Sequence, residues 1–245
     1  MSWLTYFQRN QPLQQPIPWH LGVHPEPHLL RPLIASLQRF QLGESGEGRR
    51  LKRLAATLND PDYTDAIGLF IAEEQRHAAL MAQVLRAVGA RLLRWHWSDA
   101  AFVLLRRIFG LREELLVLLV PEMMARRFFR ALDDGTRDPV LRAVFAQIIH
   151  DEEGHVAFHI DTLRQLFADT SLLRRVVTRV AWRVLYRVAC LAVICDHHRT
   201  LRAGGVSPLE FWWDCGLIFD EAAAQVLCGC ELPRAAVAAF PGVAG

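Results

Sequence analysis

The sequence predicts an all-α protein, in which a four-helix bundle made of two repeated helical hairpins is followed by two C-terminal helices. Three observations predict this fold class. Apolar residues recur with helical periodicity from about residue 31 to residue 230, and strand patterns are nearly absent. The chain aligns with itself, without gaps, when residue 44 is placed on residue 122. With 245 residues, of which 52% are hydrophobic and 22% charged, it can bury a substantial core.

Composition divides the chain into four parts. Residues 1–30 carry prolines interleaved with aromatic residues, which predicts an extended N-terminal arm. Residues 31–167 are expected to form the four-helix bundle, and residues 168–232 a helical extension that packs on it. Residues 233–245 are small and apolar and are expected to form a loose tail.

Helix-start and helix-stop signals indicate six helices. Asp60-Pro61 and Asp138-Pro139 each combine an N-cap residue with a proline at the first helical position. A glycine pair at 204–205 ends the fifth helix, and a capping box opens the sixth at Ser207. The expected bounds are about 31–58, 60–89, 98–133, 138–167, 171–202, and from 207 onward.

Two stretches within predicted core helices carry charged residues, IAEEQRHAAL at 71–80 and IIHDEEGHVAFH at 148–159. The internal repeat accounts for both, because it aligns three pairs of residues: Glu44 with Glu122, Glu74 with Glu152, and His77 with His155. Each hairpin therefore has a lone Glu on its first helix and a Glu-x-x-His pair on its second.

The geometry of a hairpin brings these residues to one height. Positions i and i+3 lie on the same face of a helix, so a Glu-x-x-His pair can reach one inward point. The midpoint of Glu44 and Glu74 is residue 59, and that of Glu122 and Glu152 is residue 137. Both midpoints fall in predicted turns, which places each lone Glu level with the Glu-x-x-His pair of its own hairpin.

Four Glu and two His in the middle of a four-helix bundle form the ligand set of a dinuclear carboxylate site. Carboxylates can bridge and neutralise two divalent cations, and one imidazole per metal leaves open positions for oxygen or substrate. We therefore predict a site for two divalent metal ions. Solvated surface side chains are the competing interpretation, but Glu74 and Glu152 are flanked by apolar residues, and buried carboxylates without a cation are costly.

On these residues the chain resembles the ferritin-like superfamily of di-iron carboxylate proteins, over about residues 31–167. The motifs EEQRH and DEEGH are similar to the D/E-E-x-R-H pattern of bacterial multicomponent monooxygenases. The chain length is similar to that of stand-alone di-iron oxygenases and N-oxygenases. The resemblance implies that the six repeated residues are ligands of two Fe ions, with Mn as the alternative metal, because ligand types alone do not separate the two. It also implies that Glu73 and Asp151, which precede the motif glutamates, support ligand histidines by hydrogen bonding.

Glu47 competes with Glu44 for the first ligand position, because it lies one turn away on the same helix face. The repeat favours Glu44, since Ala125 is the counterpart of Glu47. The glycine-rich run GESGEG at 43–48 is poor helix-forming material and predicts an irregularity beside the site.

Three further histidines lie within reach of the bundle. His159 follows His155 by one turn and is interpreted as a supporting residue, because its counterpart in the repeat is Met81. His197 and His198, on the fifth helix, are interpreted as surface or supporting residues.

The resemblance implies a di-iron oxidoreductase that activates O2 to hydroxylate, N-oxygenate or desaturate an organic small molecule. The chain has no flavin fingerprint and no iron–sulfur cysteine pattern, so electrons would come from an external donor protein. The alternatives are a ferroxidase or iron-handling protein, a dimanganese catalase-like enzyme, and a metal-free helical interaction module. A rubrerythrin-type peroxidase would usually add a four-cysteine site, which these cysteine spacings do not form.

Charge and cysteine content bear on partners and location. A net charge of +2 does not suggest a nucleic-acid partner. Five cysteines without a C-x-x-C pair predict reduced thiols in a cytoplasmic protein, and neither a signal peptide nor a transmembrane segment is expected.

On the fifth helix an arginine at every fourth position forms either a solvated face or a docking stripe for an acidic carrier protein. This stripe consists of Arg175, Arg179, Arg183 and Arg187. The oligomeric state is left open, with a homodimer as one option.

Overall fold

Helices make up nearly all of the regular structure in the computed structural model, which describes residues 2–11, 16–97 and 110–228. These ranges contain eight α-helices and no strand, so the all-α prediction is confirmed. The helices are α1 Trp3–Asn10, α2 Pro27–Glu44, α3 Arg49–Ala55, α4 Pro61–Ala87, α5 Leu111–Gly135, α6 Pro139–Leu166, α7 Leu172–Ala203 and α8 Pro208–Cys228; short 3-10 turns occupy Trp19–Leu21 and Ala56–Leu58.

The two Asp-Pro pairs start α4 and α6 as predicted. The Asp60 side chain accepts a hydrogen bond from the backbone N–H of Tyr63 at 3.0 Å, and Asp138 accepts one from Leu141 at 2.8 Å. A proline occupies the first turn of each helix. These N-caps satisfy amides that the helix itself leaves unpaired, which sets the register of both helices at the hairpin turns.

The bundle consists of α2, α4, α5 and α6, with α2 packed on α4, α5 on α6, and α4 on α6. The two C-terminal helices pack on it, α7 against α2 and α5, and α8 against α5, α6 and α7. The shared core is built from fully buried aliphatic and aromatic side chains, including Phe128, Phe129 and Phe145. The buried carboxylates and histidines of the two motifs lie within this apolar interior.

The first predicted helix is interrupted, which corrects the expected continuous span to Leu58. Helix α2 ends at Glu44, and α3 begins only at Arg49. Gly48 has a φ of 60°, and a Cβ there would lie 2.4 Å from Ile71 Cδ1. The glycine-rich run therefore lets the backbone turn in a left-handed conformation while it passes close to α4.

The N-terminal arm is not extended throughout, because residues 3–10 form α1. Ser2 caps this helix by accepting a hydrogen bond from the Thr5 amide at 3.2 Å. The prolines of the arm begin only at Pro12, so nothing in the preceding residues prevents a helix. Helix α1 packs on α4 and buries Phe7 and Asn10.

Parts of two predictions lie outside the described residues: the start of the third helix at residues 98–109 and the tail at 233–245. Helix α5 continues through Pro121. The four cysteines within the described ranges are free thiols. None of the helices that the structure describes has the length and apolar character needed to cross a bilayer.

Candidate metal centre

Four side chains of ligand type meet in the middle of the bundle. Helix α4 contributes Glu74 and His77, and α6 contributes Glu152 and His155. One ligand atom from each lies within 4.8 Å of the others. Both histidines and Glu152 are buried. The i, i+3 spacing thus directs both motifs at a common point.

The two lone glutamates border this cluster. Glu44, the last residue of α2, lies beside Glu74, and burial together with the Glu74 charge raises the pKa of Glu44. Glu122 projects from α5, and its Oε2 lies 3.4 Å from His155 Nδ1. All six side chains predicted as ligands are therefore brought to one place.

The ligand-type atoms of the cluster face one another without forming well-directed hydrogen bonds. His155 Nδ1, for example, lies 2.9 Å from Glu74 Oε1 but makes no such bond to it. The buried atoms in this condition are Glu74 Oε1, His77 Nδ1, Glu122 Oε2, Glu152 Oε2 and His155 Nδ1. Each unpaired buried polar atom costs about 1–3 kcal/mol. Such a concentration of carboxylate oxygens and imidazole nitrogens fits divalent metal ions.

The opposite nitrogen of each imidazole contacts an acid from the other hairpin. His77 Nε2 lies 3.1 Å from Asp151 Oδ2, and His155 Nε2 lies 3.0 Å from Glu73 Oε2. When Nε2 donates its proton to a carboxylate, the lone pair of the neutral ring is on Nδ1, which points at the cluster. The two acids thus orient both imidazoles for metal binding.

Asn10 on α1 joins these two acids. Its Nδ2 donates to Glu73 Oε1 and to Asp151 Oδ1, both at 2.9 Å. Its Oδ1 lies 3.0 Å from His150 Nε2. No sequence pattern predicted this role for Asn10. The one available signal was that Phe7 and Asn10 share a face of a possible helix in WLTYFQRN.

Burial and mutual repulsion perturb the titration of the cluster. Burial, reinforced by neighbouring carboxylates, raises the pKa of Glu44 and of Glu152 well above the usual range. Burial alone would lower the pKa of His155, but nearby carboxylates outweigh it and raise that pKa well above its usual value. For Asp151, burial is outweighed by hydrogen bonding, chiefly with His77, which lowers the pKa to about 2. The cluster without metal therefore retains protons that cations would displace.

Glu47 and His159, which the sequence places close to the predicted ligands, are not part of the ligand cluster. Glu47 has a side chain that is 65% exposed and is 2.5 Å from Arg49 Nε. It does not reach the cluster, because α2 ends at Glu44 and no helical turn connects the two glutamates. His159 is buried, with its ring centroid 4.8 Å from that of Phe70. It packs beside the site but does not belong to the ligand group found among the described residues.

The carboxylate side of the cluster opens onto a cavity of about 420 Å³. Four of the proposed ligands contribute to its wall: Glu44, Glu74, Glu122 and Glu152. Most of the remaining wall is apolar and comes from α2, α5 and α7, as with Phe40, Leu118 and Leu185. The ligand cluster therefore faces a chamber of the size that small-molecule sites occupy.

His197 also lines this cavity, so of its two interpretations, surface or supporting residue, the first is wrong. It is buried, and its Nδ1 lies 2.7 Å from Ser36 Oγ. Burial, with a contribution from the Arg39 charge, lowers the pKa of His197 to about 3, so the imidazole is neutral at physiological pH.

The four arginines interpreted as either a solvated face or a docking stripe make contacts within the chain. Arg175 donates to backbone carbonyls at the ends of α6 and α8. Arg183 forms an ion pair with Asp220, and the Arg187 guanidinium lies 4.3 Å from the centre of the Trp212 ring. These contacts tie α7 to α8, while the side chains of Arg179 and Arg183 remain partly exposed.

A family model described as Rubrerythrin matches residues 117–187, which is less than a third of the chain. The matched segment includes Glu122, Glu152 and His155. No curated protein matches the sequence significantly. The family-model match and the carboxylate–histidine cluster together fit a ferritin-like di-iron protein.

Proposed function

We propose that this chain is a di-iron oxidoreductase that uses O2 to oxidise an organic substrate held in the cavity. The observation that carries the proposal is the position of the cluster between two different environments. Its imidazoles are held from behind by buried acids and α1, while its carboxylates face an apolar chamber of about 420 Å³. When bound, the two iron ions would supply the reduction of O2 and the oxidation of the substrate.

The side chains of the cluster would hold and neutralise the metal ions. Glu44, Glu74, Glu122 and Glu152 carry up to four negative charges to offset two divalent cations. One imidazole Nδ1 from each motif would complete the donor set. The acids behind the imidazoles, joined by Asn10, keep both rings in the orientation that metal binding needs.

The apolar walls would determine what reaches the metal ions. Leu118, Leu185 and Val193 line the chamber and would exclude water from the reacting groups. An apolar chamber favours an organic substrate over the hydrated ferrous ions that a ferroxidase admits. Electrons would come from a separate donor protein, because the sequence contains no flavin or iron–sulfur motif.

The first test is the iron content after anaerobic loading with Fe(II). We expect close to two iron ions per chain in the wild type and a marked loss in Glu122→Ala. Glu47→Ala is the matched control, since it removes an exposed glutamate that pairs with Arg49; it should bind as much iron as the wild type. Wild-type protein without stoichiometric iron would refute the di-iron proposal.

The second test is O2 consumption by the iron-loaded protein. We expect substrate-independent consumption to stop after about one turnover, and continued consumption to require an electron donor and an organic substrate whose oxidised product mass spectrometry detects. Repeated oxidation of added Fe(II), at many ions per chain, would instead identify a ferroxidase. Rapid peroxide dismutation by the manganese-loaded protein would identify a catalase-like enzyme.

A further inference from the structure

Arg39 is a cationic side chain in the wall of the apolar cavity. Its Nη1 donates to the backbone carbonyls of Ala35 at 3.0 Å and Asp196 at 3.3 Å, and its Nε donates to His96 Nε2 at 3.2 Å. Two of these acceptors are backbone carbonyl oxygens, and the third is an imidazole nitrogen. Within residues 2–11, 16–97 and 110–228, no carboxylate lies within 4.0 Å of this guanidinium.

These contacts hold the guanidinium in place without neutralising it. Arginine stays protonated in proteins, and its planar group has five N–H donors, of which the three contacts engage Nε and Nη1. A charged group beside apolar surface is stabilised by a charge of opposite sign. A carboxylate matches the guanidinium best, because it can accept two parallel hydrogen bonds.

Arg39 and the metal-binding cluster occupy different parts of the same cavity wall. Glu44 follows Arg39 by five residues on α2, which corresponds to about 7.5 Å along the helix axis. Phe40 also lines the wall, and its ring centroid lies 4.8 Å from that of Phe128. A bound molecule would therefore meet a cation, aromatic surface and the carboxylate-rich metal centre within one chamber.

We infer that the cavity binds an organic carboxylate whose charged end pairs with Arg39 and whose apolar body extends toward the metal centre. The four glutamates that also line the cavity disfavour the opposite orientation, because they would repel the anion. The inference deepens the proposed function by naming its substrate class, and it rests on that function only for the statement that the far end is oxidised.

The test compares the binding of decanoate and decan-1-ol, which share an apolar chain and differ in charge. Calorimetric titrations use the full chain, both metal-free and loaded with redox-inactive Zn²⁺. We expect the wild type to bind decanoate at least tenfold more tightly than the alcohol. Arg39→Gln should remove this preference and leave the affinity for decan-1-ol unchanged. Arg31→Gln, an exposed change on the same helix, should retain it.

A second variant places a competing carboxylate inside the protein and leaves the contacts of Arg39 intact. Gly43 follows Arg39 by four residues, lines the cavity, and has open space around the position of a Cβ. Gly43→Asp should pair with Arg39 and also lower the affinity for decanoate at least tenfold. This variant decides the question if Arg39→Gln fails to fold.

Three results would overturn the inference: equal binding of the two probes by the wild type, no decanoate binding at millimolar concentration, or a preference that survives both substitutions. Decanoate binding that requires Zn²⁺ but not Arg39 would also overturn the inference, because it would place the carboxylate on the metal. The metal-free titrations separate this test from that of the di-iron centre, because absence of iron binding would leave the preference measurable.

Discussion

Replacing Asn10 by alanine tests whether the N-terminal helix supports the metal centre. The substitution removes two hydrogen bonds to the buried carboxylates of Glu73 and Asp151. A hydrogen bond to a charged group contributes about 1.5–3 kcal/mol. Asp151 keeps its contacts with Gln147 and His77, so the lower end applies, and we expect a loss of about 3 kcal/mol. For a chain of this length, that loss lowers Tm by about 6–12 °C.

The same substitution should weaken metal binding. Without Asn10 the two acids are held less firmly behind the imidazoles, and changes to such supporting groups cost roughly 10–100-fold in metal affinity. Thermal unfolding of the metal-free chain and Zn²⁺ competition titrations would measure the two effects. Gln8→Ala is the matched control, because it truncates an exposed amide on the same helix. If Asn10→Ala matched this control in both measurements, the support assigned to α1 would be refuted.

Three further predictions concern α1 packing, pH and metal. Gly154→Ala should detach α1 and speed proteolysis of the N-terminus, because a Cβ there would lie 2.3 Å from the Tyr6 hydroxyl oxygen; Gly68→Ala, with no contact closer than 3.9 Å, should leave proteolysis unchanged. The pKa values of Glu152 and His155 are raised, so the folded metal-free chain binds more protons than the unfolded chain. Its urea stability should therefore fall from about pH 5 to pH 8, and a rise would contradict the assignment. Zn²⁺ should replace these protons, so Zn²⁺ affinity should increase over the same range; a pH-independent affinity would exclude proton displacement.

The amino-acid sequence alone determined the repeated framework of the site. Helical periodicity, two Asp-Pro starts and the self-alignment placed Glu74, His77, Glu152 and His155 on facing helices at one height. These features are local or follow from the symmetry of two similar hairpins. They could therefore be predicted before any tertiary contact was known, because the spacing of residues on a helix sets where their side chains project.

Only the tertiary structure decided what surrounds that framework. Asn10 lies 63 residues from Glu73 and 141 from Asp151 along the chain, and no periodic pattern links them. The roles of Arg39 and His197 likewise depend on how α2 and α7 enclose a cavity. A charge pattern states which residue types share a helix face, but the neighbouring elements determine whether that face meets solvent, another helix or a ligand chamber.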